Sequence, residues 1–395
     1  MATDDKSYAY LPEDLLLQML EKAPRTAKQL AKTIEINESQ VEKARTVLKN
    51  NNFIQSCSEG DFTESIMAAD GANVVEHKTS ADIVLAIAVG VDGLSKEPST
   101  TWPDGSRQYQ QWQDALPHHV ANPRLAQGVM FLMELSILSE ADREIRIMDG
   151  SHVTAILKLN SLLSAKDEAD ADKPYVDALS RFLSENYDKV IPEIPDIVAS
   201  AFSNESIISL TKYSSSREII DSQLQEFEIV ADDKVFLSTL LKENEYTKPV
   251  PVGQSAKDRE MWKQIHIKCN LPIDGVDNSE LQGRFEDAIA PFKVTDNSES
   301  DLFFCYYEPL EHTMAHRVEI KKNLAENGNN LERFLRSLKR QIVFPEIREP
   351  YPQFLADIIA KNIYFGMEAV NQAIFNDSVL HSDKNFDLVL PYRTS

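Results

Sequence analysis

The sequence predicts an α/β protein, a mixed sheet flanked by helices and preceded by a small helical module. Three observations carry this expectation. Continuous apolar runs of strand length, above all ADIVLAIAVGVDG (81–93), read as central strands. Longer apolar runs at helical spacing alternate with them, and no stretch recurs at a fixed period. Residues 1–60, by contrast, carry helical patterns, which sets the module (1–60) apart from the main domain (61–395).

Taken in order, PEDLLLQMLEKAP (12–24) is a helix that stops at Pro24, since proline breaks the hydrogen-bond ladder. Thr26 can cap TAKQLAKTIEI and Asn37 can cap ESQVEKARTVLKNNNFI. The pair is winged-helix-like, with a core of Leu30, Ala31, Ile34, Val41, Ala44 and Leu48. Its second helix offers Lys43, Arg45 and Lys49 but also Glu38 and Glu42, which favours packing or partner docking over DNA reading.

Strands are expected at SIMAADGANVV (65–75) and 81–93, followed by a loop-rich polar insertion near 95–120. A buried helix follows at RLAQGVMFLMELSILSEAD (124–142), then a strand at REIRIMDGSH (143–152) and helices over 152–200. SIISLTK (206–212) is a strand and DDKVFLSTLLKE (232–243) a helix; 254–300 reads as a second insertion. DLFFCYYEPL and HRVEI are strands, and helices fill 329–341 and 351–376.

Composition narrows the function. With 12 Gly, 18 Pro and 3 Cys, collagen-like, disordered and disulfide-framework classes are excluded, and no CxxC pair marks a zinc ribbon. No apolar run is long enough to span a bilayer, and acids occupy the N-terminus where a signal peptide needs bases, so a cytoplasmic chain without a membrane segment is expected. A formal net charge of −22 opposes stand-alone, salt-driven DNA binding. It remains compatible with a DNA enzyme that is fed by a partner or whose acids hold metal ions.

Four acids are singled out. Asp70 and Asp149 each end an apolar strand (SIMAAD, IRIMD) and precede glycine. Asp92 also follows a strand, but VGVDGL is more simply a hairpin turn. Glu134 is the one ionisable residue within VMFLMELSIL (129–138), and Asp357 is the lone charge in YPQFLADIIA (351–360). A carboxylate in such surroundings must be paired, protonated or bound to a metal. The order strand Asp, helix Glu, strand Asp, helix Asp matches an RNase H-like plan for two-metal phosphodiester cleavage, in which clustered carboxylates hold hard divalent cations. No GxSxG, HExxH or P-loop supplies another chemistry.

AADGA (68–72), MEL (133–135) after Arg124, IMDGS (147–151), SLTKYSSSR (209–217), DDKVFLSTLLKENEYTKP (232–249) and EPYPQFLADIIAKNI (349–363) occur in one sequential order that resembles the NurA family of DNA-repair nucleases. The resemblance covers most of 62–376, outside the N-terminal module and the two insertions. It implies an RNase H/Piwi-like fold and a Mn2+- or Mg2+-dependent nuclease. The implied activity on DNA is a 5′→3′ exonuclease and a single-strand endonuclease. It also implies a homodimer docked on a HerA-like hexameric ATPase translocase, serving DNA end processing or phage defence. Asp70, Glu134, Asp149 and Asp357 would be the metal ligands, Lys212 a phosphate contact and Tyr351 a substrate-orienting residue. The chain departs from the family in reading DGA where DGS is expected, and in its N-terminal module. A rival reading is a catalytically inactive RNase H-like scaffold or DNA-binding regulator that gates an ATPase, which loss of a carboxylate would mark; this chain keeps all four. His152, His312 and His316 are not assigned to metal: His152 reads as a surface turn residue. Trp102 and Trp112 read as loop packing more readily than as base-stacking groups.

Overall fold

The computed structural model describes residues 11–33, 37–60, 64–95, 108–164, 177–178, 181, 190–269, 277–295, 298–311, 313–344 and 346–376. Its strands are β1 (Ile54–Ser56), β2 (Ile66–His77), β3 (Asp82–Asp92), β4 (Tyr109–Leu116), β5 (Ile145–Asp149), β6 (Ile207–Thr211), β7 (Glu245–Thr247), β8 (Val250–Pro251), β9 (Leu302–Glu308) and β10 (His316–Lys321). They form one mixed sheet in the order β1-β7-β9-β10-β6-β5-β2-β3-β4, with β8 also paired to β9. β2, β3 and β4 make an antiparallel meander; β5 joins parallel to β2, and β6 parallel to β5. From β6 onward the pairing is antiparallel out to β1. The expected mixed sheet is therefore present, flanked by helices.

Alternation along the central strands feeds two cores. Met67, Ala69 and Met148 face α3 (Asn122–Glu140) and α4 (His152–Leu163) together with helix Val190–Ser203. Ile66, Ala68, Ile145, Ile147, Ile208 and Leu210 face helix Gly328–Arg340 through Leu331 and Leu335. Helix Ile363–Asn376 covers Ile83 and Leu85 with Ile363 and Met367.

Three expectations are corrected. α1 (Glu13–Thr33) runs through Pro24 instead of stopping there. The carbonyl that proline leaves without its ladder partner belongs to a helix exposed along nearly its whole length, where water replaces the bond. The winged-helix-like core does not form: Leu30 is 63% exposed, Ala31 is exposed and Ile34 lies outside the described residues. α2 (Glu38–Asn50), capped by Asn37, instead buries Val41, Ala44 and Leu48 in the main core, and β1 pairs with β7. Arg45 is buried and its guanidinium bonds Glu245 at 2.6 Å, so it is a structural cation and not a DNA-reading one. Finally, the polar insertion contains β4, an edge strand whose Trp112 is buried in the core, so it cannot stack on bases; Trp102 lies outside the described residues.

Candidate metal centre

The register of the parallel strands places the first two acids. Ala69 of β2 lies opposite Met148 of β5, so the next step along both strands brings Asp70 beside Asp149 on one face of the sheet. Asp149 lies opposite Leu210, which puts Lys212, two residues further, on that same face. Asp70 is not a strand end, since β2 continues to His77; Asp149 does end β5. Helix Tyr351–Lys361 lies over this face and brings Asp357. Carboxylate oxygens of Asp70, Asp149 and Asp357 all fall within 4.8 Å of one another.

Glu134 approaches from the other side. It sits on α3, only 3% exposed, against Gly71, whose missing side chain would point at it: a Cβ there would lie 2.6 Å from Glu134 Oε1. Burial first, then the charges of Asp70 and Asp149, push the Glu134 pKa well up. Burial and Asp149 likewise raise that of Asp70, although Lys212 and the Gly71 N–H, which donates to Asp70 Oδ1 at 2.8 Å, oppose the shift.

The structure places Lys212 among these acids and adds Glu349, Gln353 and Lys361, which the sequence reading missed. Lys212 Nζ lies 2.8 Å from Asp149 Oδ2, 3.0 Å from Glu349 Oε2 and 3.7 Å from Asp357 Oδ1. Burial lowers the pKa of this ammonium, but Asp149 and Glu349 outweigh it and hold the group above the ordinary lysine range. Gln353 Nε2 donates to Asp149 Oδ1 at 2.8 Å, and Lys361 Nζ to Asp357 Oδ2 at 2.6 Å. Gln353, Asp357 and Lys361 are spaced four apart on one helix face, a signal present in the sequence around Asp357. Tyr351 opens this helix half-buried, its N–H bonded to the Gln341 carbonyl.

The turn after Asp149 is gripped from beneath. Gly150 adopts φ +99°, open to glycine, and the chain then enters α4, which Ser151 caps. Glu319 of β10 accepts from Ser151 Oγ at 2.9 Å, the His152 N–H at 3.0 Å and Ser209 Oγ at 2.9 Å. Burial would raise the Glu319 pKa, but the bonds from His152 and the charge of Arg317 outweigh it and hold it at about 2. His152 is thus a buried anchor and not a surface turn residue: burial and Lys321 keep its imidazole neutral, with a pKa of about 4, and its Nε2 lies 2.8 Å from Lys321 Nζ. His316 opens β10, and His312 lies outside the described residues.

Beside the aspartates opens a cleft of ≈ 640 Å³, its walls including Lys212, Lys234, Arg348, Tyr213, His316 and Gln353. Tyr213 stands 91% exposed. Asp92, by contrast, is paired with Arg143 at 2.9 Å, in keeping with a structural acid.

Three aspartates with hard oxygen donors, drawn together with Glu134 beside them, fit an octahedral, oxygen-seeking cation such as Mg2+ or Mn2+ and offer no soft ligand. Five carboxyl groups face two ammonium groups here, Lys212 and Lys361, so added positive charge is favoured.

The fold is similar to that of solved NurA nuclease structures. The crystal structure of the NurA nuclease from Sulfolobus solfataricus superposes with a TM-score of 0.54 at 16% identity, covering 94% of this chain and 98% of that one. A crystal structure of NurA gives 0.48 at 11% identity over 96% and 100% of the two chains, and one of NurA with manganese gives 0.49 at 12% over 94% and 100%. No family model matches the sequence, and no curated protein does. This chain therefore has the NurA fold at a sequence distance where the fold alone is shared.

Proposed function

We propose that this chain is a divalent-metal-dependent DNA nuclease. The observation that carries the proposal is the convergence of Asp70, Asp149 and Asp357, from two parallel strands and a covering helix, on a fold shared with a nuclease. Asp70, Glu134, Asp149 and Asp357 hold the cation site, Mn2+ or Mg2+. Two such ions, when bound, supply an activated water and charge neutralisation at the leaving 3′-oxygen. Gln353 fixes the orientation of Asp149, and Lys361 that of Asp357. Lys212 holds the acids together and presents its ammonium to a substrate phosphate from the floor of the cleft. Arg348 extends that cationic wall and Tyr213 stands in the same cleft, while Tyr351, which opens the covering helix, orients the strand.

The products are a 5′-phosphate and a 3′-hydroxyl, from 5′→3′ exonuclease and single-strand endonuclease action. A surface of net charge −22 captures free DNA poorly, which favours a homodimer fed by a HerA-like hexameric ATPase in the cytoplasm, for end processing or phage defence. No helix among the described residues is long and apolar enough to cross a membrane. The test is cleavage of 5′-labelled single- and double-stranded DNA with Mn2+ or EDTA, with and without a HerA-like ATPase. Mn2+-dependent cleavage that vanishes in folded Asp149→Ala is expected; unchanged cleavage in that variant refutes the site, and no cleavage under any condition returns the chain to an inactive scaffold.

A further inference from the structure

A second cluster of donors lies at the far end of the β2–β3 hairpin. Seven residues of strand separate it from Asp70, about 23 Å at the rise of an extended chain. His77 ends β2 and Asp82 opens β3, paired in register, and the connection between them is closed by the Lys78 N–H on the Ala81 carbonyl. His118 comes from the segment between β4 and α3. The Asp82 residue is 0% exposed, yet its Oδ1 lies 2.6 Å from His77 Nδ1 and 2.6 Å from His118 Nδ1. All three donors lie within 4.8 Å of one another. Neither ring nitrogen nor carboxylate here belongs to the cleft or to the aspartate cluster.

The proton inventory makes this arrangement unusual. His118 Nε2 lies 3.3 Å from the Thr79 carbonyl, which can only accept, so Nε2 carries a hydrogen. In a neutral imidazole that leaves Nδ1 a bare lone pair aimed at a carboxylate oxygen. Two like electron pairs at that distance repel, so a positive centre belongs between them: a second proton or a metal cation. At 2.6 Å a proton fills that place, and a cation can replace it once the two exposed rings turn outward. A ring N–H on a carbonyl is the usual outer support of a metal-bound imidazole. Asp82 is steadied in the same way, since Asn122 Nδ2 donates to its Oδ2 at 2.7 Å and also bonds the Pro117 carbonyl at 2.9 Å.

We infer that His77, Asp82 and His118 form a binding site for a divalent transition-metal cation of the zinc class. Two imidazoles and one carboxylate are the borderline donors such a cation prefers, unlike the all-oxygen aspartate cluster. The histidine side chains are 70% and 47% exposed, so water completes the coordination. Tetrahedral ligands stand roughly 3.3 Å apart, so binding opens each His–Asp pair by about 0.7 Å, a small rotation of two half-free rings. The bound ion would staple the hairpin tip to the segment leading into α3, the helix that carries Glu134.

The test is titration of chelator-stripped, full-length protein with Co2+, read by its visible d–d absorption, and with Zn2+, read by thermal melting. Wild type and Asp149→Ala are expected to give the same intense tetrahedral Co2+ bands, and the His77→Gln/His118→Gln variant binding at least tenfold weaker. Zn2+ is expected to raise the melting temperature of wild type and not of the double variant, whose fold is checked by circular dichroism and its urea midpoint. Equal Co2+ spectra in wild type and the double variant, or no Zn2+-dependent shift in wild type, would overturn the site and leave a protonated His118 bound to Asp82. Because Asp149→Ala abolishes the aspartate cluster alone, failure here and failure of the proposed nuclease site are read separately.

Discussion

Gly71→Ala probes whether Glu134 truly reaches the site through the gap that glycine leaves. The added Cβ would lie 2.6 Å from Glu134 Oε1, 2.6 Å from Met130 Cγ and 2.8 Å from the Ile87 carbonyl oxygen. Glu134 and Met130 are side chains and can yield, but the carbonyl is strand backbone, paired one step away in the Ala72–Ile87 register, and it cannot turn aside. Overpacking of this kind costs about 1–3 kcal/mol, while alanine's smaller unfolded-state entropy returns about 0.4–1 kcal/mol, for a net loss of up to about 2.6 kcal/mol. The urea midpoint, followed by circular dichroism, should fall at unchanged slope. Cleavage should fall further than stability, by about 10²-fold, because an acid displaced by an ångström no longer meets its neighbours. A Gly71→Ala protein with the wild-type midpoint and full Mn2+-dependent cleavage would refute the placement of Glu134 against β2.

Further outcomes follow from the same geometry. Mn2+ should raise the melting temperature, by the equivalent of about 2.7 kcal/mol at a hundredfold excess over Kd, and differential scanning fluorimetry should show no such rise in Asp149→Ala. Lys212→Ala removes the ammonium shared by Asp149 and Glu349; calorimetry should find several-fold tighter Mn2+ binding, while turnover on DNA falls because the phosphate contact is lost. Glu319→Gln breaks a buried charge network and should cost about 3–5 kcal/mol in denaturant titrations. The folded pKa of Glu319, about 2, lies below its ordinary 4.5, so its contribution is present above pH 4.5 and is lost as pH falls toward 2. Stability of the variant should therefore vary less with pH across that window.

The parts of the molecule legible in the sequence are those that a short window determines. Runs such as IRIMD and ADIVLAIAVGVD became strands because a sheet covered on both faces needs unbroken apolar residues. Glu134 stood out because no other charge shares its helical run. What escaped notice was set by distant partners or by edges. β4, YQQWQDAL, has one face in water and reads as polar loop until the buried Trp112 is seen against the core. His152 looks like a turn residue in its own window; its burial comes from Glu319 and Lys321, which only folding brings near. Glu349 and Gln353 gained meaning from Lys212 and Asp149, which meet them through sheet register and helix docking. Pro24 misled because the rule it follows assumes that a freed carbonyl is costly, and on an exposed helix it is not.

The pairing of β1 with β7 has a consequence for the order in which the chain is made. Arg45 and Glu245, partners in the finished protein, are 200 residues apart in the chain. At ordinary ribosomal speeds the N-terminal segment waits roughly 10–40 s for its counterpart to be synthesised. Until then α2 lacks helix Asp233–Leu240, against which it packs, and β1 lacks β7, so this end of the sheet closes late. The same geography makes residue 60 a poor place to cut: removal of everything before it would strip an edge strand, bare β7 and leave Glu245 without its buried cation.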